Sequence, residues 1–366
     1  MKIICSNPFE QFKSKKKAIY ASVKKVLNSA SYVLGKNVHD FEKNFSNFIG
    51  TKYGVGVANG TDAIEIALKS LDIGTGDEVI TVSHTALATV SAIILTGAKP
   101  VLVDIEEDKF TINIDLIEKN ISKKTKALVL VHIYGQSANL EKIIKICKKN
   151  KIKLIEDVSQ AHGGKWNNKY LGSYGDLSTF SFYPTKNLGA IGDAGFICTN
   201  NRKLFDRARQ IREYGWNKKR IANISGRNSR LDEIQAAILN LKLKFLKQDT
   251  IKRQVIAKKY YNEIICKEVN HPKILGYENH AFHLYVIKVK KRDLLNKYLR
   301  KNNIFCGIHY PVPIHQQPGY KNKIKINDKL KITEKVSKNI LSLPIYPELS
   351  INKVKKISKL ISSFYS

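Results

Sequence analysis

The alternation of short apolar runs with helix-like segments between residues 53 and 199 constrains the fold most. The apolar runs, such as Glu78 to Val82 and Ile152 to Asp157, are rich in Val and Ile, and segments such as Thr61 to Leu71 and Leu140 to Lys149 separate them. Continuous apolar strands are typical of a parallel sheet that helices cover on both faces. The sequence therefore predicts an α/β fold with a mostly parallel sheet.

Further elements are predicted on either side of residue 199. Ile114 to Ile121 is expected to form one helix, and so is the long stretch from Leu231 to Tyr260, which contains no strong helix breaker. His280 to Val289 is typical of a strand, a Pro-rich loop runs from His309 to Pro318, and a terminal helix is predicted from Lys353 to Phe364.

Length and composition allow two domains. Of the 366 residues, 43% are hydrophobic, which is enough to fill more than one core. We expect a large α/β domain over residues 1–245 and a smaller C-terminal α+β domain over residues 246–366.

The charge of the chain is strongly positive. Lysine and arginine total 63 against 31 aspartate and glutamate residues, a formal net charge of +32. Nucleic-acid binders usually concentrate this charge on one face and carry a known motif, whereas lysine is spread along this whole chain. We therefore expect no nucleic-acid partner, although the charge suits an anionic substrate.

Cysteine and histidine spacings indicate no metal or disulfide site. The five cysteines are scattered and include no C-x-x-C pair, and no carboxylate or thiol accompanies the pair His309/His315. His280 and His283 lie on a predicted strand and would point to opposite faces, so a shared metal is disfavoured. Apolar runs are too short for a membrane span, and the N-terminus lacks the apolar stretch of a signal peptide. The expectation is a cytoplasmic protein that binds no metal and contacts no membrane.

The first chemical motif is Asn59-Gly60-Thr61-Asp62, placed between a strand and a helix. The glycine spacing does not fit a dinucleotide fingerprint. A helix N-terminus with free N–H groups does suit a phosphate. An ordinary turn between a strand and a helix explains the segment equally well.

The second motif begins with Glu156-Asp157 and continues through Gln160-Ala161-His162. Asp157 ends a buried strand, which places it at the carboxyl edge of the sheet where α/β proteins bind ligands. A carboxylate buried there needs a cationic partner. A capping role for Asp157 in the next segment remains an equal alternative.

The third motif carries a lysine in a loop between two strands. It runs Ser181-Phe182-Tyr183-Pro184-Thr185-Lys186 and is followed by glycine-rich backbone. Lysines in loops are usually solvated. A lysine framed by aromatic and hydroxyl side chains is a candidate Schiff-base amine, because desolvation lowers its pKa.

Taken in order, these motifs and Asn228-x-Arg230-Leu231-Asp232-Glu233 resemble the DegT/DnrJ/StrS family of sugar aminotransferases. The resemblance extends from about Asn7 to Tyr320. It implies a fold-type-I enzyme that uses pyridoxal 5'-phosphate (PLP), with a large sheet domain and a smaller C-terminal domain. Lys186 in place of histidine argues against the dehydratase branch of the family.

The resemblance also implies roles for individual residues. Lys186 would form the Schiff base with PLP and later carry the proton, and Asp157 would pair with the pyridine nitrogen and keep it protonated. Gln160 would hydrogen-bond the ring hydroxyl. The phosphate would be bound by Gly60, Thr61 and Ser181, together with Asn228 of the partner subunit. The last assignment implies a homodimer with shared active sites.

One position departs from the family pattern. Many members carry an aromatic residue that stacks on the PLP ring and directly follows a threonine at the start of a helix. Here the corresponding Thr85 is followed by Ala86. His84 is then the candidate for the stacking residue. A hydrogen-bonding role at the helix start explains His84 equally well.

The Pro-rich loop resembles that of relatives that aminate C3 of a nucleotide-linked keto sugar. Tyr183, His309, Tyr310 and His315 are the implied substrate-binding residues. The resemblance implies transfer of the amino group of L-glutamate to the C3 keto group of a dTDP-linked 3-keto-6-deoxyhexose. A C4 aminotransferase, an enzyme acting on a UDP-sugar, and a non-catalytic ligand-binding or nucleic-acid-binding relative remain the alternatives.

Overall fold

The computed structural model describes residues 2–366. None of the helices in this range combines the length and apolarity needed to cross a membrane. The helices are α1 (Pro8–Leu27), α2 (Lys36–Ile49), α3 (Gly60–Ser70), α4 (Leu87–Leu95), α5 (Leu140–Lys149), α6 (Arg202–Ile211), α7 (Glu233–Leu243), α8 (Leu246–Glu263), α9 (Arg292–Lys301), α10 (Lys331–Asn339) and α11 (Ile351–Tyr365).

The strands fall into one large sheet and three small ones. They are β1 (Ile3–Ile4), β2 (Tyr53–Val57), β3 (Glu78–Val82), β4 (Lys99–Val103), β5 (Thr125–Val131), β6 (Lys153–Asp157), β7 (Lys165–Trp166), β8 (Lys169–Tyr170), β9 (Leu177–Ser181), β10 (Gly195–Thr199), β11 (Val269–Asn270), β12 (Tyr285–Val289), β13 (Ile304–Phe305) and β14 (Ile340–Leu343).

The large sheet has the order β2-β10-β9-β6-β5-β3-β4. β10 pairs antiparallel with β2 and β9, and the other pairings are parallel. The predicted α/β fold with a mostly parallel sheet is therefore confirmed. The carboxyl ends of β2, β3, β5, β6 and β9 meet at one edge, so the loops that follow them lie close together.

Both faces of this sheet are buried, which explains the continuous apolar runs. Val79 of β3 belongs to a core that includes Ile64 of α3 and Ile93 of α4. The next residue, Ile80, belongs to the core on the opposite face, which includes Phe41 of α2. Successive strand residues point to opposite faces, so a sheet covered on both sides needs an apolar residue at every position.

The C-terminal part of the chain has a core of its own. β12 pairs antiparallel with β11 and β14, and α8, α9 and α11 contribute Ile256, Leu295 and Ile357. Ile3 joins this core because β1 pairs with β13. α8 begins at Leu246, and the division of the chain at residue 245 stays a prediction.

The prediction of one helix from Ile114 to Ile121 is wrong. The segment forms two short 3₁₀ helices, Ile114–Leu116 and Glu118–Asn120. The Asn120 side chain donates to the Leu116 carbonyl at 2.9 Å, and such side-chain bonds compete with regular helical pairing.

The prediction of an unbroken helix from Leu231 to Tyr260 is also wrong. The chain forms α7 and α8 with a break at Lys244 and Phe245. No Gly or Pro marks this break, so local sequence could not reveal it. Tertiary contacts accompany it, because buried Lys242 donates to the Gly189 carbonyl and Leu246 is buried in the large core.

The predicted strand from His280 to Val289 is shorter than expected, since β12 begins only at Tyr285. Phe282 has a φ of +43°, which interrupts extended backbone. The preceding residues bond elsewhere: the Ala281 N–H donates to the Gly135 carbonyl at 2.9 Å. Helices α1, α2, α6 and α10 lie outside the predicted elements.

Candidate active site

A cavity of about 320 Å³ opens at the carboxyl edge of the large sheet. It collects most of the residues that the sequence singled out. Those that line it are Gly60, Thr61, Asp157, Gln160, Ser181, Tyr183, Lys186, His309 and Tyr310. His84, Asn228 and His315 are not among the lining residues.

Lys186 is presented to the cavity by the turn that follows β9. Its backbone N–H donates to the Tyr183 carbonyl at 2.8 Å, which closes the turn. Burial lowers the pKa of the Lys186 amine to about 8, while the nearby Asp157 carboxylate acts in the opposite direction. The amine can therefore lose its proton close to neutral pH, as a nucleophilic lysine must.

Asp157 ends β6 and is buried at the floor of the cavity. Its Oδ2 accepts a hydrogen bond of 2.8 Å from Thr89 Oγ1, and its Oδ1 accepts one of 3.1 Å from the Ser159 N–H. Each carboxylate oxygen has a further acceptor site. The carboxylate is thus held in one orientation and can still pair with a cationic group in the cavity.

The N-terminus of α3 forms another wall. The Asn59 side chain caps the helix by accepting from the Asp62 N–H at 2.8 Å. A Cβ at Gly60 would lie 2.6 Å from the Ser181 Cβ, so glycine is required for β9 to approach this closely. The helix N-terminus and the Ser181 hydroxyl therefore converge on one point, the donor arrangement that a phosphate needs.

Gln160 is fixed by two hydrogen bonds. Its Oε1 accepts from the Tyr134 N–H at 2.9 Å, and its Nε2 donates to the Tyr310 hydroxyl at 2.9 Å. These bonds assign the amide orientation. The second Nε2 hydrogen remains available to a ligand in the cavity.

His309 and Tyr310 form the wall contributed by the C-terminal part of the chain. Burial lowers the pKa of His309 to about 4, helped by the nearby Lys186 amine. Burial raises the pKa of Tyr310 to about 12. Both side chains are therefore neutral at pH 7, so they offer hydrogen bonds and no charge.

His84, the candidate for the residue that stacks on the ring, is not among the residues that line the cavity. It is buried outside the cavity, and its Nε2 lies 2.6 Å from the Tyr134 hydroxyl. Ala86 lines the cavity instead. The alternative assignment, a hydrogen-bonding residue just before α4, agrees with this geometry.

His315 does not line the cavity either. Its Nδ1 lies 2.8 Å from Ser83 Oγ, and its Nε2 lies 3.1 Å from Glu334 Oε1. His315 therefore contacts the end of β3 and α10, and its contact with substrate stays a prediction.

Asn228 is exposed, and the segment that carries it is attached to α3. Ser229 Oγ donates to Asp62 Oδ2 at 2.6 Å, and Arg227 forms ion pairs with Asp62 and Glu65. Asn228 does not line the cavity of its own chain.

Several lining residues were not proposed as site residues by the sequence analysis, among them Thr89 and His283. Thr89 lies one helical turn after Thr85, and both line the cavity, so the i, i+4 spacing was a usable signal. His283 also lines it, with its Nδ1 3.3 Å from Asn187 Oδ1. The sequence predicted a strand over His283 and so gave no reason to place it at the cavity. The loop observed there is accompanied by a hydrogen bond from the Ala281 N–H to the Gly135 carbonyl.

The polar groups in the cavity fit PLP. The α3 N-terminus and Ser181 suit its phosphate, Asp157 its pyridine nitrogen, Gln160 its hydroxyl and Lys186 its aldehyde. Among residues 2–366 no group of His, Cys, Asp and Glu could hold a metal ion.

The chain is similar to known proteins over nearly its full length. The profile of the DegT/DnrJ/EryC1/StrS aminotransferase family matches residues 13–362. The dTDP-3-amino-3,6-dideoxy-alpha-D-galactopyranose transaminase of Aneurinibacillus thermoaerophilus is 42% identical over 350 residues, which cover 95% of each chain.

Solved structures are similar to the same extent. S. venezuelae DesV in complex with a ketimine intermediate superimposes with a TM-score of 0.96 at 33% identity, over 99% of this chain and 98% of that chain. NtdA from Bacillus subtilis with bound cofactor PMP gives a TM-score of 0.89 at 30% identity, over 96% and 82% of the two chains.

Proposed function

The chain belongs to the DegT/DnrJ/EryC1/StrS aminotransferase family, and from this premise we propose its reaction. It transfers the amino group of L-glutamate to the C3 keto group of a dTDP-linked 3-keto-6-deoxyhexose. The products are 2-oxoglutarate and a dTDP-3-amino-3,6-dideoxyhexose. The observation that carries this proposal is one cavity in which the Lys186 amine, the Asp157 carboxylate and the α3 N-terminus meet.

The cofactor proposed for this cavity is PLP, held by the donors that fit it. When bound, PLP supplies an aldehyde that combines with amines and a ring that accepts the electron pair left when a proton departs. Asp157 keeps the proton on the ring nitrogen, and Thr89 and the Ser159 N–H orient that carboxylate. The α3 N-terminus and Ser181 bind the phosphate.

Lys186 is proposed to move the proton. Because burial brings the pKa of its amine to about 8, Lys186 Nζ would take the proton from the α-carbon of bound glutamate and would deliver it to the carbon that carried the aldehyde group of the cofactor. The cavity is enclosed by Tyr310 and His309 on one side and by α4 on the other, which limits competing hydrolysis by water.

The nucleotide sugar is proposed to bind along Tyr183, His309 and Tyr310. Tyr183 is exposed at the mouth of the cavity, whereas His309 and Tyr310 lie inside it. The relative with 42% identity is named for a dTDP-3-amino sugar, which supports C3 and dTDP over C4 and UDP for this chain. The net charge of +32 favours an anionic nucleotide.

A homodimer in the cytoplasm completes the proposal. Asn228 lies outside its own cavity and is proposed to bind the cofactor phosphate of the partner subunit.

Absorbance spectroscopy and mass spectrometry test the proposal. Purified protein supplied with PLP should acquire a visible absorbance band, lose it on addition of glutamate and release 2-oxoglutarate. The Lys186→Ala variant should show none of these three changes. Incubation with glutamate and a panel of dTDP- and UDP-linked 3-keto and 4-keto sugars should then give an amino sugar from the dTDP-linked 3-keto substrate.

Other results would identify the alternatives. Conversion of 4-keto or UDP-linked sugars alone would contradict the proposed substrate. It would still support an aminotransferase of the same family. Failure of glutamate to change the spectrum of the PLP-loaded protein would contradict the enzyme. Retention on DNA with a steep dependence on salt concentration would support the nucleic-acid-binding alternative.

A further inference from the structure

The wall formed by His309 and Tyr310 is attached to residues that lie outside the cavity. We define the substrate loop as residues 309–315. We propose that Tyr134 and His315 are positioning residues that hold the two ends of this loop and so fix the place of the nucleotide sugar. This inference rests on the proposed function.

Tyr134 holds the first end of the substrate loop. Its side chain is buried, and its hydroxyl donates to the His309 carbonyl. His84 Nε2 lies 2.6 Å from the same hydroxyl. A phenol has one hydrogen to donate, so His84 must be the donor in the second bond and carries its hydrogen on Nε2. Burial lowers the pKa of His84 to about 4, which agrees with a neutral ring.

The backbone of Tyr134 supports the same wall. Its N–H donates to Gln160 Oε1, and Gln160 Nε2 donates to the Tyr310 hydroxyl. Tyr134 therefore connects to His309 through its side chain and to Tyr310 through Gln160. Loss of the Tyr134 hydroxyl would remove the connection to His309 together with the bond from His84, and would leave the connection to Tyr310 in place.

His315 holds the other end. Its backbone N–H donates to Ser83 Oγ at 3.2 Å, and its ring Nδ1 lies 2.8 Å from the same oxygen. Ser83 Oγ can accept from the N–H and donate its own hydrogen to Nδ1. Nε2 then carries the ring hydrogen and donates to Glu334 Oε1 at 3.1 Å. The loop is thereby joined both to the end of β3 and to α10.

A loop held at both ends is arranged for the sugar before binding, so binding costs less ordering of the chain. Release of either end should weaken binding of the nucleotide sugar. The reaction with glutamate should be affected much less, because that step depends on Lys186, Asp157 and the cofactor contacts.

The test compares Tyr134→Phe and His315→Gln with the matched control Tyr174→Phe. The Tyr174 hydroxyl also donates to a backbone carbonyl, that of Trp166, but Tyr174 does not line the cavity. Loss of one hydrogen bond in a buried network should raise the KM for the dTDP-linked keto sugar about tenfold in Tyr134→Phe. The single-turnover rate with glutamate should stay within about twofold in both test variants, since their changes lie outside the cofactor contacts.

Hydrogen exchange provides a readout that does not require activity. Peptides covering residues 309–315 should exchange faster in Tyr134→Phe and in His315→Gln than in the wild type, and at the wild-type rate in Tyr174→Phe. Unchanged exchange and unchanged sugar KM would refute the inference, as would equal losses in both half-reactions. If Tyr134→Phe fails to fold, His315→Gln decides the matter by the same two measurements.

The two proposals fail in different ways. A wild-type protein that does not react with glutamate contradicts the proposed function, whereas the exchange measurement still tests how the loop is held. If the wild type is fully active and the Tyr134 and His315 variants match it in sugar KM and in hydrogen exchange, only this inference is contradicted.

Discussion

At the scale of single residues, Lys186 combines a reactive amine with a pKa set by its surroundings. Burial lowers that pKa to about 8, and Asp157 partly opposes the shift. The neutral amine is the form that combines with an aldehyde. We therefore expect the rate at which cofactor-free protein takes up PLP to rise with pH and to level off above a midpoint near pH 8, as stopped-flow absorbance would measure.

Asp157→Asn provides the control for this pH dependence. Removal of the carboxylate removes the charge that favours the ammonium form, so the midpoint should move to lower pH. A midpoint near 10, the ordinary value for lysine, would mean that the Lys186 amine is solvated and would contradict this prediction.

The residues of the site differ in how far sequence alone could locate them. Lys186 and Asp157 stand in motifs whose order along the chain is specific, and the family they indicated is confirmed. Tyr134 gave no such signal, because its φ of +59° and its bond to His309 depend on a contact across 175 positions. His315 was expected at the substrate for its place in the loop, but local sequence could not reveal Ser83 and Glu334 beside it.

At the scale of elements, Glu156 joins β6 to the turn before β9. The carboxylate is fully buried and accepts from the N–H groups of Gly172, Tyr174 and Gly175, with His132 Nε2 at 2.9 Å. Burial by itself would raise the pKa of Glu156, but the hydrogen bonds from His132 and the backbone lower it overall. The charged form is thus the one that the fold stabilises.

Glu156→Gln should lower the free energy of unfolding at pH 7 by about 3 kcal/mol, because an amide cannot accept all of these hydrogen bonds. A carboxylate with a lowered pKa contributes stability that is present above its unfolded pKa of about 4.3 and is lost as the pH falls through the folded value. The difference between wild type and variant in urea unfolding should therefore shrink below about pH 4. A difference that is independent of pH would contradict this role.

Regular elements were predictable where the pattern was local. β3 was predicted with its observed limits, since it is a short apolar run bounded by polar residues. The break between α7 and α8 was not, because no Gly or Pro marks it and the contacts that accompany it, such as that of Lys242 with the Gly189 carbonyl, are distant in sequence. Elements defined by tertiary contacts of this kind escape any reading of periodicity.

At the scale of the whole molecule, α3 contributes to two active sites of the proposed dimer: it lines the cavity of its own chain and holds the segment that carries Asn228. Its N-terminus lines its own cavity, and Asp62 and Glu65 within it bind Arg227. Asp62 also accepts a hydrogen bond from Ser229. Asn228, between these two anchors, is therefore held by the same helix that would bind the phosphate of its own chain.

Subunit mixing tests whether Asn228 acts in the partner's site. Lys186→Ala and Asn228→Ala should each be nearly inactive as pure dimers. After the two are unfolded and refolded together in equal amounts, about half of the dimers are mixed, and one of their two sites combines an intact Lys186 with an intact Asn228. Activity should then recover to about a quarter of the wild-type value, since one site in four is complete. If Asn228 served its own chain, no mixed dimer would contain a complete site and the mixture would stay inactive.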